Sequence, residues 1–566
     1  MARVSESANY WTRRQARPGS LVERTFRRRT FLAGAGAAAA GLALGACGDD
    51  SGGSSTPQPQ GSQGSQAAQA TKEPKKGGTL TIAGSSTPLH YDQHQYAGIY
   101  GDGNVYNNAL KLGPGQKVVA DLAEKWESPE PTSWVFHLRQ GVKFQNVAPV
   151  NGRAMTAEDL AYSINRANSN NPAFTNRWMW TSLVSIQATD ANTVKATFQQ
   201  PFAPALYHFA AGSMTVIAKE VVDQFGDLKD PKSRIGTGPF LMTAAKKDEL
   251  ISYKRNPTYW DPKVPYLDAI ETPIIPDRLA RIVALRTGQV DLIPWQPGVT
   301  DLDEAKRGMS GVTVATRPSD AATALGINHA VGQLGDERVR KALSLAIDHQ
   351  ALIRAAGGDN AGVVVGFVHP NGPPFALPEA ELAQLTKQDL TEAKKLMTAA
   401  GLDAGLNVSL TVTSTDTTAM DVVAVMQQQL AKINVKVNLD PQESATYVRK
   451  LTQKTFELIL ISAWTPALDP SQQFHGSLRS DAAQNWWNAK VTEMNALDDK
   501  QVVELDTDKR AKIVQDMERL NFDKVIALPL YAVNGWTAWK NYVTDYDHLR
   551  AFNALGWENS ITWLDK

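Results

Sequence analysis

His90 and His94 stand four residues apart, a spacing that suits a metal ion on one helix face, but Pro88 places them in a loop. No His-Glu-x-x-His, paired cysteine or EF-hand loop accompanies them, so no motif supports a metal site. The chain has one cysteine, Cys47, which rules out an internal disulfide framework. No Gly-x-Ser-x-Gly elbow is present, although scattered Ser, His and Asp could still assemble a triad in space. Gly236-Thr237-Gly238-Pro239-Phe240 is Gly-rich, yet no Gly-Lys-Ser/Thr follows, and Pro239 removes a backbone donor that a phosphate cradle needs. What remains is a set of aromatic residues, 14 Trp and 14 Tyr, that suits aromatic-lined surfaces as well as core.

The stretch Arg27 to Cys47 sets the context for these residues. Arg28-Arg29-Thr30-Phe31-Leu32 is a paired arginine followed by apolar residues, and it resembles a twin-arginine export signal. Phe31 to Ala46 is uncharged but too short and too rich in Ala and Gly for a comfortable membrane span. Leu44-Gly45-Ala46-Cys47 places small residues before the cysteine, as at a signal cleavage site. That end resembles a bacterial lipobox, in which the cysteine is lipidated and becomes the first mature residue. A stop-transfer anchor is the competing reading, and the unpackable Gly48-Asp49-Asp50-Ser51 argues against it. Residues 48–78 lack aromatic and large aliphatic side chains and read as a flexible tether. About 30 coil residues span roughly 30 Å, enough to let an anchored body move just above a membrane.

The whole chain has the composition of an ordinary globular protein, 42% hydrophobic and 20% charged. Lys+Arg and Asp+Glu balance at 58 each, so no net field favours nucleic acid or an anionic membrane. Length predicts about three domains. Alternation predicts strands at Gly78–Ala83, Val135–Arg139 and Asn192–Phe198. Thr156-Ala157-Glu158-Asp159 reads as a helix start resembling a capping box. A helix is expected from Arg278 to Thr287, stopped by Gly288, followed by a short strand over Val290–Ile293. Val339, Ala342, Leu343, Ala346 and Ile347 form one apolar stripe, so a single helix is expected from Glu337 to Arg354. Asp389 caps a further helix that stops at Gly401. Strand-like Val408–Val412, a helix over about 419–433 and strand-like Val435–Leu439 complete a βαβ pattern, which indicates α/β layers.

Four stretches, taken in order, resemble one family. They are Leu138-Arg139-Gln140-Gly141-Val142-Lys143-Phe144; Gly236 to Phe240 with Arg255-Asn256-Pro257-Thr258-Tyr259-Trp260; Arg338 to Ala342 through Ala346-Ile347-Asp348; and Glu392 to Gly401 with Gln427 to Val437. In combination they resemble the extracellular solute-binding proteins of the dipeptide/oligopeptide class, family 5, which feed ABC importers. The resemblance runs from about Gly77 to the strand near Tyr531. It implies an α/β, two-lobed periplasmic-binding-protein-like fold of type II, with an extra subdomain in lobe I, closing over a solute like a hinge. The implied division is signal 1–46, tether 47–76, lobe I 77–106 with 232–324 and 525–566, subdomain 107–231, and lobe II 325–524.

The resemblance also points to cleft residues. Peptide-binding members carry a Trp followed by Ala-Asp-Tyr, whose Asp pairs with the peptide amino terminus. Here the segment reads Ser462-Ala463-Trp464-Thr465-Pro466-Ala467-Leu468-Asp469-Pro470: Trp464 matches, the Asp of Ala-Asp-Tyr is missing, and Asp469-Pro470 resembles the later Asp-Pro. Trp464, Thr465, Asp469, Trp295, Ser85, Ser86, Asn328 and Trp486 are the expected ligand-binding residues. Asp469 could equally cap a loop, Asn328 could be a hinge residue, and Trp486-Trp487 could stack on a ligand or plug the lobe. The expected protein is a monomeric receptor, lipid-anchored through Cys47, with no cofactor and no metal, whose partners are a small solute and ABC permease subunits rather than nucleic acid. A peptide, an oligosaccharide, an opine-like compound or a metal chelate would suit the cleft. A secreted lipoprotein hydrolase and a sensory receptor of the same fold are the alternatives.

Overall fold

Two long strands, Val312–Ile327 and Leu528–Lys540, pair antiparallel along almost their whole length. The structure, a computed structural model, describes residues 73–88, 90–95, 102–113, 117–171, 173–308, 310–368, 374–414, 416–464, 469–482, 484–546 and 558–566. The expected export signal, Cys47 and nearly all of the tether lie outside the described residues.

The long pair belongs to a seven-stranded sheet. At one end, Leu292–Pro297 joins the Leu528–Lys540 strand, and Ile293, Trp536 and Ala538 pack with Ile282 and Leu285 of the helix Arg278–Thr287. That helix starts where expected, with the Asp277 carboxylate accepting from Ala280 N at 2.7 Å, and stops at Gly288 with φ 78°. At the other end, Leu458–Trp464 pairs with the long strand and runs parallel to Leu406–Thr413, which in turn runs parallel to Val435–Gln442. The helices Thr417–Ala431 and Ser444–Thr452 are the crossovers, and a separate core of Leu325, Leu343, Val408, Val422, Leu458 and Leu530 closes around them.

Between the two ends the ladder breaks. Pro318 pairs with Asn534 and Ala322 with Ala532, leaving three residues of one strand opposite one of the other. Pro318 has no N–H to donate, and Ser319 Oγ accepts from Ala321 N at 3.0 Å, closing a local turn. Such an insertion bends and twists a strand. It falls between the two cores, near residues 318–322 and 532–534. Val525, Leu528, Leu530 and Tyr531, expected with lobe I, pack instead in the core of the 406–464 strands. The chain therefore changes core several residues later than the sequence pattern suggests.

Two four-stranded sheets complete the layers. One is Thr79–Thr81, Ala269–Pro273, Leu250–Arg255 and Phe240–Lys246; the other is Ala123–Glu130, Ser133–Leu138, Thr193–Phe198 and Leu183–Asp190. They meet at the Gly236–Phe240 motif. A Cβ on Gly238 would lie 2.4 Å from the Val105 carbonyl carbon, so the motif is a close backbone crossing. The expected single helix after Glu337 is two: Glu337–Ala346 and His349–Gly357. Ile347 is extended with ψ 125°, and the Asp348 carboxylate accepts from Ala351 N at 3.0 Å, so an N-cap ended the first helix in the middle of its apolar stripe.

The helix Thr507–Lys524 carries an unusual buried acid. Glu518 Oε1 accepts from Phe367 N and Val368 N at 2.7 and 3.0 Å, while Oε2 has no hydrogen-bond partner among the described residues. Burial pushes its pKa up to about 8, against the two N–H bonds that lower it. A raised carboxyl pKa means its stabilising effect is complete below the ordinary value of 4.5 and declines as pH rises to about 8. Glu518→Gln should flatten that decline and stabilise the fold at pH 8.5 by about 1–3 kcal/mol. Thermal unfolding of both proteins at pH 5 and pH 8.5 checks this; an equal pH dependence would refute it.

Candidate functional site

The broken ladder brings one expected residue to the junction of the two cores. The strand Leu292–Pro297 has its own register shift between Ile293 and Gln296, which sets Pro294 and Trp295 off the regular ladder. The Trp295 ring covers Gly535, where a Cβ would lie 2.4 Å from its Cε2. The Arg317 guanidinium sits 5.2 Å from the ring centroid, a cation–π distance, and Arg317 Nη1 donates to Pro318 O at 3.0 Å. Trp295 is half-buried, and its buried Nε1 has no hydrogen-bond partner among the described residues. A buried indole N–H usually finds an acceptor, so this unpaired donor sets Trp295 apart from the other expected residues described around the junction.

Ser85 and Ser86 follow Gly84, whose backbone bridges to Ile274. Ser85 is half-buried and Ser86 exposed, at the end of the strand that begins the fold. Trp464 is the last residue of the strand Leu458–Trp464, and its backbone pairs with Ala322, immediately past the ladder break. Its side chain, and Thr465 altogether, lie outside the described residues.

Asp469 is not available to a ligand. It is 1% exposed, and its two oxygens accept from Arg510 Nη1 and Nη2 at 2.6 Å each, while Oδ1 also accepts from Ser471 N. Burial alone would raise this carboxyl, but Arg510 outweighs it and holds the pKa below the usual range. Arg510 in turn donates to Gln501 Oε1 and Ser471 Oγ. The expectation that Asp469 contacts solute is corrected in favour of its other reading, a cap: it accepts from Ser471 N and is held by Arg510. The partner lies 41 positions along the chain, which no local pattern announces.

Asn328 is corrected on the same ground. Its Nδ2 donates to Lys454 O and Phe456 O at 3.0 and 2.8 Å, and its Oδ1 accepts from Ala330 N and Asn488 Nδ2. Every donor and acceptor is used within the protein, and the residue follows the end of the Val312–Ile327 strand away from the break. Trp487 is the plug of its pair: it is fully buried, and a Cβ on Gly326 would lie 2.2 Å from its Cζ3. Trp486 is half-buried, packs against the same core and meets Trp487 edge-on at 5.9 Å. His94 Nε2 donates to Thr215 O and its Nδ1 accepts from Arg166 Nη1, and burial, with Arg166 adding, lowers its pKa to about 4. No group of three or more metal-ligating side chains occurs among the described residues.

An α/β body with two cores threaded by one strand pair defines a two-lobed solute-binding architecture. The family model for bacterial extracellular solute-binding proteins, family 5 (middle), matches residues 117–485, well over half of the chain. The chain belongs to that family, the solute-binding components of ABC transporters. It is 27% identical over 401 residues to a dipeptide-binding protein of Escherichia coli, covering 67% of this chain and 74% of the relative. It is 26% identical over 390 residues to a glutathione-binding protein of Salmonella typhimurium, covering 67% and 72%. The fold superposes on HbpA2 from Haemophilus parasuis with a TM-score of 0.73, covering 86% of this chain and all of that one at 23% identity.

Asn328 gives a direct check on its reassignment. Asn328→Ala strands two carbonyls and two donors and should cost about 2–4 kcal/mol in urea unfolding. Affinity for the co-purifying solute should stay within about twofold, because the residue is a staple; a large loss of affinity with little loss of stability would restore it to the cleft.

Proposed function

We propose that this protein is a lipid-tethered receptor that holds a peptide-like or other small polar solute between two lobes and hands it to an ABC permease. The observation that carries the reading is the strand pair Val312–Ile327 and Leu528–Lys540, which runs through both cores and is interrupted between them. A hinge needs a few residues that absorb backbone change between rigid bodies, and residues 319–321 are such a place. The solute closes the protein only as far as it binds the closed form better than the open one.

Around the break, Trp295 supplies an aromatic face and an unused donor, and Ser85, Ser86, Trp464, Thr465 and Trp486 are the further proposed contacts. The acid that receives a peptide's amino terminus in peptide-binding members has no counterpart at its matching position, and Asp469 is taken by Arg510. A buried ammonium without a carboxylate costs several kcal/mol. This favours a solute whose recognised end is neutral or acidic over a free α-amino terminus. Among relatives, one is named for dipeptides and another for glutathione, so the fold accepts both kinds of cargo.

Mass spectrometry of the solute released from freshly purified, mildly denatured protein identifies the cargo. With that solute in hand, Trp295→Phe keeps a smaller aromatic face and removes the donor, and should weaken binding by at least about 5- to 20-fold, the worth of one hydrogen bond to an otherwise unpaired group. Unchanged affinity by titration calorimetry would remove Trp295 Nε1 from the site.

Anchoring is tested separately. Cys47→Ser should move the protein from the membrane fraction to the soluble extracytoplasmic fraction, and the wild-type N-terminal peptide should carry the mass of an acylated cysteine. A wild-type protein that fractionates as soluble, with an unmodified Cys47, would defeat the lipoprotein reading.

A further inference from the structure

The expected subdomain and lobe II meet in an apolar core of which Trp295 is not a member. The short helix Ala205–Phe209, on the subdomain side, lies against the face made by Phe375, Val502 and Arg510. Ala203 N donates to Val502 O at 2.7 Å. The Tyr207 and Phe375 rings sit 6.0 Å apart at 62°, an edge-on pair, and both are buried. Tyr207 and Phe209 share one continuous apolar core with Phe375, Phe474, Leu478 and Met517.

The receiving face is rigid. Arg510 lies over the Phe375 ring at 5.1 Å while its charge is matched by Asp469. Gln515 Nε2 donates to Pro374 O and Ala376 O, bracketing Phe375 on both sides, and Glu518 fixes Phe367 and Val368. The same Asp469–Arg510 pair reaches across the contact: burial raises the Tyr207 hydroxyl to about 12, and Asp469 adds to that rise. Burial lowers His208 to about 4, with Asp469 opposing. The pair thus touches this contact on one side and Ser471 and Gln501 on the other.

We propose that the Ala203–Phe209 segment and the Phe375–Val502–Arg510 face form a closure latch, which holds the lobes together in the absence of solute and sets solute affinity from outside the cleft. This rests on the reading that the two segments belong to different lobes. An apparent dissociation constant scales inversely with the fraction of protein already in the binding-competent form. A contact that raises that fraction raises affinity for every solute the cleft accepts, without reading any of them.

The test uses the mature chain with Cys47→Ser, freed of solute by unfolding in guanidinium chloride and refolding. Spin labels go on Lys125→Cys and Lys395→Cys, whose native side chains are 68% and 69% exposed. Solute-free protein should give mainly one short inter-label distance. Tyr207→Ala should lower the closed-to-open ratio about tenfold, whereas Tyr207→Phe, which keeps the ring, should not. Hydrogen exchange on the protein without the Tyr207 change guards against a misfolded variant: the Ala203 amide should exchange slowly without solute. A long distance and a fast Ala203 amide in the solute-free protein would overturn the latch while leaving two moving lobes. One unvarying short distance in every variant would show that the segments belong to a single body, and would overturn the hinge along with the latch.

Discussion

The antiparallel pair Val312–Ile327 and Leu528–Lys540 is the constraint on which the architecture depends. A hydrogen-bonded strand pair resists shear along its length, so it transmits position from one core to the other. It cannot also bend freely, and the flexibility therefore concentrates where the ladder is interrupted, between Pro318 and Ala322. Proline without a donor and a serine that satisfies its own neighbour make that interruption stable rather than frayed. The two flanking cores are built differently. One packs the helix Arg278–Thr287 on Ile293 and Trp536; the other wraps parallel strands with crossover helices. Each is held by its own apolar contacts, so relative motion costs only what happens at the junction and at surfaces that touch across it.

Buried polar groups follow the same logic of local completion. A desolvated carboxylate without a partner is expensive, so Asp469 and Arg510 satisfy each other with two short bonds and recruit Gln501 and Ser471 for the remaining donors. Asn328 spends all four of its hydrogen-bonding positions on backbone groups and Asn488. Residue type marks both as ligand-binding candidates, and geometry makes both structural. Trp295 differs: among the described residues its buried N–H has no partner, so it remains a proposed contact.

This contrast explains what could be read in the chain beforehand. Features set within a few residues were legible. Asp277 and Asp389 cap their helices, Gly288 and Gly401 end them in left-handed conformation, and alternation placed the Thr193–Phe198 strand. The family stretches were legible because close approach fixes residue type: Gly238 has no room for a side chain against Val105. The break between Glu337–Ala346 and His349–Gly357 was missed because the apolar stripe runs through it. A capping role for Asp469 was legible, but its partner and those of Asn328 were out of reach for a different reason. Their partners lie 41 and up to 160 positions away, and spacing along a chain carries no information about contacts made only after folding.

A receptor family that keeps one fold while its members are named for dipeptides and for glutathione faces two separate demands. Recognition must vary with cargo, and closure must not. If the free energy of closing came only from solute contacts, every change of cargo would reset the open–closed balance as well as the selectivity. An interlobe contact built from Tyr207, Phe375 and one backbone hydrogen bond separates the two. It contributes the same closing free energy whatever lies beside Trp295, and it is braced by Arg510, which also pairs with Asp469. Cleft side chains are then free to change one at a time, because the strand pair fixes where the lobes meet and the interlobe contact fixes how readily they do.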